Sequence, residues 1–137
     1  MKELKISVAI TIFNEEKTIS LMLDALVHQS RVIDEVIFCD GGSTDNTKEI
    51  ILEYSEKGFP IKIVPRKGKC RGAGRNSAIT ATKNEYVALI DGGSVPKKDW
   101  MLSLVQCLEK NTEAEVIFGS VEPNIDTRIE RSIGALI

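Results

Sequence analysis

Apolar residues along the chain follow two different periods, and the two take turns. Residues 5–13 (KISVAITIF) form a β-branched run without strict alternation, the pattern of a strand buried on both faces. Ile19, Met22, Leu23 and Leu26 then fall at i, i+3, i+4 and i+7, which predicts a helix with one apolar face. Residues 35–39 (EVIFC), 61–64, 86–90 (YVALI) and 115–118 predict further strands. Residues 47–57 predict a second helix with Ile50, Ile51 and Tyr54 facing in, and 71–82 a segment that is helical in its second half. Met101, Leu104, Val105 and Leu108 stripe a last helix, and Pro96 suits its first turn, where a missing N–H costs nothing. Strands alternating with helices imply βαβ crossovers. The expected fold class is α/β, a mainly parallel sheet with helices on both faces. Ligands of such sheets bind outside the carboxyl ends of the strands, so the loops after strands are where chemistry is expected.

Those loops are rich in chemistry. The first is Phe13-Asn14-Glu15-Glu16 and the second is Asp40-Gly41-Gly42-Ser43-Thr44-Asp45. The third is basic and glycine-rich, from Arg66 through Lys67, Lys69, Arg71 and Gly74 to Arg75 and Asn76. The fourth is Asp91-Gly92-Gly93-Ser94. Three acidic loops and one basic loop on a single edge suit a ligand with both polar rings and phosphates. Carboxylates accept hydrogen bonds from hydroxyls and base N–H groups, while arginines and backbone N–H groups hold phosphate. Taken singly, each loop also has a plainer reading. Asn14 can cap the first helix, Ser43, Thr44 and Asp45 can cap the second, and Asp40 beside two glycines can be turn chemistry.

Composition narrows the classes. A length of 137 residues suits one domain, residues 1–137, large enough for its own core. A net charge of −2 and 5 % aromatic residues give no footprint for nucleic acid, which needs basic patches and stacking platforms. The apolar runs are too short to span a membrane. The cysteines, Cys39, Cys70 and Cys107, match no zinc or redox spacing and are expected to be buried thiols in a reducing, cytoplasmic setting. His28 falls within the first helical pattern, away from the strand ends, so no Ser-His-Asp triad forms. No Walker A pattern and no dinucleotide fingerprint is present where either is required. The apolar tail, residues 132–137, reads as the start of an element, which implies a domain that is C-terminally incomplete in this sequence and exposes apolar surface there.

Taken in order, residues 10–16 (ITIFNEE), 40–47 (DGGSTDNT), 74–79 (GRNSAI), 85–91 (EYVALID), Pro96 and Trp100 resemble family 2 glycosyltransferases across nearly the whole chain. The resemblance implies the Rossmann-like nucleotide-diphospho-sugar transferase fold. It also implies transfer of a sugar from a donor such as a UDP- or GDP-sugar to an acceptor hydroxyl with inversion. By the same resemblance, Thr11, Phe13 and Glu15 line the nucleoside pocket and Asp40 contacts base or ribose. Arg71 and Arg75 approach the nucleotide and its phosphates, and Asp91 is the first aspartate of the family's Asp-x-Asp motif. Two positions depart from the pattern. Gly41 replaces a second acidic residue, and Gly93 replaces the metal-binding aspartate, so a divalent cation (Mn or Mg) would have Asp91 as its one motif carboxylate, together with the diphosphate and waters. The acceptor, saccharide or lipid-linked, and the catalytic base belong to an acceptor-side half that the chain does not contain. None of Glu122, Asp126 and Glu130 matches the motif of that base. Any membrane association would come from sequence outside this chain. The competing reading is a non-catalytic nucleotide-sugar-binding module, or a subunit completed by another chain. A phosphorelay receiver fails on residues, with Pro65-Arg66-Lys67 and Gly119-Ser120 where its aspartate and lysine belong.

Overall fold

In the computed structural model, which describes residues 3–122, strands and helices alternate. They are β1 (Ile6–Ile12), α1 (Ile19–Val27), β2 (Glu35–Asp40), α2 (Thr47–Glu56), β3 (Ile61–Pro65), α3 (Arg71–Thr80), β4 (Tyr86–Asp91) and α4 (Trp100–Lys110). The chain forms two compact units, Met1–Gln106 and Cys107–Ile137, and the first contains the whole sheet.

All pairings in the sheet are parallel, in the order β3-β2-β1-β4. The central strands β1 and β2 carry the β-branched runs and are buried almost throughout. Ala9, Ile37 and Cys39 meet Ala78 of α3 on one face, with Val64, Ala81 and Val87 around them. Strand side chains alternate in direction, so Val8, Ile10, Ile12, Val36 and Phe38, all buried, take the opposite face. Ile19, Met22, Leu23 and Leu26 of α1 are buried as their spacing predicts. Each such residue contributes about 1.5–3 kcal/mol when fully buried.

The crossovers carry β1 to β2 and β2 to β3 in one direction along the sheet. The next crossover returns through α3 past β2 and β1 to β4. The direction therefore reverses between β1 and β4. Register aligns the strand ends there, with Thr11 opposite Asp91 on one side and Ile12 opposite Asp40 on the other.

Glu35 and Gln29 are among the buried polar residues, and both find hydrogen-bond partners. Glu35 accepts hydrogen bonds from Ser7 Oγ at 2.6 Å and the Lys83 N–H at 2.9 Å. Gln29, at the end of α1, donates to the Ala25 and Lys97 carbonyls and accepts from the Met101 N–H, which fixes the start of α4.

Several expectations are corrected. Residues 115–118 pair with no described strand and have no regular structure. A strand exists only with a ladder partner, and Val116 and Phe118 stay exposed, at 67 % and 90 %. Val121 is exposed as well. Helix α3 starts at Arg71 and not midway, because the Cys70 sulfur accepts the Ala73 N–H at 3.4 Å and opens the helix early. Pro96 lies before α4, buried and outside any helix. Of the cysteines only Cys39 is buried; Cys70 is exposed at its cap and Cys107 is half-buried. His28 ends α1, exposed, with Nδ1 2.8 Å from the Asp24 carbonyl oxygen. No described helix is long and apolar enough to cross a membrane. The tail at 132–137, with Asp126 and Glu130, lies outside the described residues.

Candidate functional site at the carboxyl edge of the sheet

The first and second loops are tied together by their own polar groups. Asn14 takes φ +51°, a left-handed conformation that asparagine tolerates better than most residues. Its N–H donates to Ser43 Oγ at 2.9 Å, and its side-chain oxygen accepts the Thr44 N–H at 2.9 Å. Asn14 therefore joins two loops and does not cap α1, whose N-cap is Thr18. The Glu15 N–H donates to Thr47 Oγ1 at 2.8 Å, and the Glu16 N–H to Asp45 at 3.2 Å. Of the expected caps of α2, only Asp45 behaves as one. It accepts from the N–H and hydroxyl of Thr47, although the N-cap position itself is Asn46. Desolvation pushes the Asp45 carboxyl up, but the hydrogen bonds from Thr47 and Glu16 outweigh it and hold the group below its ordinary range.

Asp40 ends β2 and is almost fully buried. Its carboxylate accepts from the Gly42 and Ser43 N–H groups at 3.1–3.2 Å and from Ser43 Oγ at 2.6 Å. This shapes the second loop as an aspartate turn. Gly41 donates to the Ile12 carbonyl at 2.8 Å, and the neighbouring Phe13 ring is 59 % exposed.

The fourth loop closes onto the first. The Gly92 N–H donates to the Thr11 carbonyl at 3.1 Å. A Cβ at Gly92 would stand 2.7 Å from that oxygen and 3.4 Å from Glu15 Oε1, so only glycine fits. A Cβ at Gly93, where φ is +83°, would stand 3.5 Å from Glu15 Oε2. The Glu15 carboxylate thus lies over the Gly92-Gly93 backbone, held by Thr18 Oγ1 at 2.7 Å.

Helix α3 completes the edge. A Cβ at Gly74 would meet Thr11 Cγ2 at 3.2 Å, so the first turn of the helix packs on the end of β1. The next residue, Arg75, donates from Nη2 to Asp91 Oδ1 at 2.6 Å. Arg71 opens the helix, and its side chain is outside what the structure describes.

Of the residues singled out in the sequence, Thr11, Phe13, Glu15, Asp40, Arg75 and Asp91 therefore stand at the carboxyl edge. Thr11, Glu15, Arg75 and Asp91 gather at the reversal between β1 and β4, the place where open α/β sheets bind ligands. Asn14, Ser43, Thr47 and Gly92, which hold the loops in position, escape a reading by loop chemistry alone. Asparagine's tolerance of positive φ is the signal that points to Asn14. Among the described residues no group of three or more His, Cys, Asp or Glu is placed to hold a metal ion. One Asp91 oxygen is engaged by Arg75, and Gly93 offers no side chain. The chain's own side chains thus offer a hard divalent cation little more than one partly engaged carboxylate, and the remaining oxygen ligands would have to come from substrate phosphates and water. A concavity of about 450 Å³ lies at the opposite, amino edge, where Lys5, Glu35, Lys83 and Asn84 line it.

The fold and this edge define a parallel α/β domain with a polar cluster at the carboxyl ends of its strands. The family model of glycosyl transferase family 2 matches residues 7–133, and the chain belongs to that family. A chondroitin synthase of Escherichia coli is 33 % identical over 115 residues, which cover 82 % of this chain and 17 % of that protein. The crystal structure of S. aureus TarS in complex with UDP-GlcNAc superposes with a TM-score of 0.69 at 25 % identity, covering 80 % of this chain and 32 % of that one. The mannosyltransferase PcManGT of Pyrobaculum calidifontis, in complex with GDP-Man and Mn2+, gives 0.66 at 26 % identity, covering 76 % and 32 %. The chain spans less than half the length of the curated relatives it matches, for example 19 % and 40 % of two more.

Proposed function

We propose that the carboxyl edge binds a nucleotide-diphospho-sugar, and that the chain is the donor-binding part of a glycosyltransferase. The observation that carries this reading is the meeting of four loops along the carboxyl edge of the sheet, through the Asn14–Ser43 contact on the β2 side of β1 and the Thr11–Gly92 and Arg75–Asp91 contacts at the β1/β4 reversal. Phe13 offers an exposed ring and Thr11 a strand end to the nucleoside. Asp40 acts mainly through the loop it shapes, since most of its acceptor capacity is taken by Gly42 and Ser43. Arg71 and Arg75 come from the helix that faces the phosphates. Structural relatives that hold UDP-GlcNAc and GDP-Man support this class of donor.

In the reaction, a base removes the proton of an acceptor hydroxyl, saccharide or lipid-linked. The oxygen attacks the anomeric carbon from the face opposite the nucleoside diphosphate. The bond to that diphosphate breaks, and the configuration inverts. On this reading residues 1–137 are the donor side of one domain, and the base comes from further sequence.

Calorimetric titration with UDP, GDP and their sugars tests the binding claim. Saturable binding of one nucleotide series is expected, with the nucleoside monophosphate weaker than the diphosphate. Heats indistinguishable from dilution for every nucleotide would reject the reading. Binding with no transfer or hydrolysis by the full-length protein would favour a non-catalytic binding module.

A further inference from the structure

We propose that the Arg75 guanidinium, held at the β1/β4 reversal by Asp91, supplies the positive charge that neutralises the donor's diphosphate, in place of a divalent cation. The inference rests on the nucleotide-sugar reading above and specifies how this chain meets the phosphates.

Three observations converge on it. The motif position that would give a cation its second carboxylate is Gly93, and no described cluster of ligands replaces it. The first carboxylate, Asp91, is already engaged by a cation that the chain itself provides, 2.6 Å away. A metal ion at that oxygen would have to displace the guanidinium and then sit beside it, against mutual repulsion. Finally, Arg75 follows Gly74, whose contact with Thr11 brings the first turn of α3 onto the strand end. The guanidinium therefore stands at the edge where the sugar diphosphate of this fold class would lie.

The chemistry of the side chain suits the task. Guanidinium is planar, always charged, and presents five N–H donors in a fork that matches pairs of phosphate oxygens. One Nη2 donor goes to Asp91, which leaves the others for a ligand. The pair is exposed, at 46 % for Arg75 and 63 % for Asp91, so water screens it and the guanidinium is not locked. Asp91 is then a positioning residue, aiming the fork before the ligand arrives.

Titration of the nucleotide that binds, with excess EDTA and again with manganese, tests this. Affinity for the diphosphate is expected to be the same in both media, within about twofold. Arg75→Ala is expected to weaken the diphosphate by about tenfold or more, the loss of a charge-assisted hydrogen bond, while the nucleoside monophosphate changes far less. Arg75→Lys keeps the charge without the fork and is expected to fall between the two. Because Arg75 is exposed, an unchanged urea midpoint of both variants shows that they fold. Binding that disappears in EDTA and returns with manganese overturns the proposal, as does an Arg75→Ala variant that binds the diphosphate normally. If no nucleotide binds in either medium, the donor-binding reading fails, and this proposal with it.

Discussion

A methyl group at position 92 would stand 2.7 Å from the Thr11 carbonyl oxygen, closer than real Cβ atoms approach backbone. The fourth loop and the end of β1 cannot keep their hydrogen bond and admit a side chain. Gly92→Ala is therefore expected to destabilise the protein by about 1–3 kcal/mol, the usual cost of forcing atoms into a packed site. Urea unfolding reads this directly, and an unchanged midpoint would show that the fourth loop is looser than described. At this scale the sequence is only partly legible. Asp40, Arg75 and Asp91 stand out because charged residues beside glycines are conspicuous after buried strands. Gly92 looks like any turn glycine, since its constraint comes from a strand 81 positions earlier, in the comparison of Thr11 with Gly92. The burial of the Asp40 carboxylate among its own loop's donors is equally invisible, because turn formation and ligand binding use the same residue type.

Helices α1 and α2 pack side by side, and one polar contact links them. The Tyr54 hydroxyl donates to Asp24 Oδ1 at 2.6 Å. That hydrogen bond, with some desolvation and the charges of Asp24 and Glu53, pushes the phenol up from 10.0 to about 12. The folded state thus holds the proton more tightly than the unfolded state. The resulting stabilisation is complete below pH 10 and is lost as pH rises through about 12. Urea midpoints of the wild type and Tyr54→Phe between pH 8 and 12 are expected to converge as pH rises, because only the wild type loses this contribution. A constant gap across that range would contradict the assignment. Elements buried on one clear stripe, such as α1, and the β-branched central strands are legible from periodicity. The misreadings fall where a neighbour decides. A cysteine sulfur opens α3 early, the end of α1 fixes the start of α4 through Gln29, and residues 115–118 have strand composition without a described ladder partner.

At the scale of the molecule, strand order converts scattered loops into one edge. The alternation of strands and helices predicts a parallel sheet, but not that β4 lies beside β1, and only that neighbour relation brings Asp91 opposite Thr11. The family resemblance implies the fold class, while the strand order itself is read from the structure. The central claim is that the carboxyl edge is where a nucleotide-diphospho-sugar binds. The most direct test is a two-dimensional amide NMR titration of isotopically labelled protein with UDP- and GDP-sugars. The expected result is shifts confined to the loops after β1, β2 and β4 and to the first turns of α3, with Phe13, Ser43, Arg75 and Gly92 among them. Shifts clustered at the opposite edge, around Lys5, Glu35 and Lys83, or a spectrum that no nucleotide sugar perturbs, would contradict it.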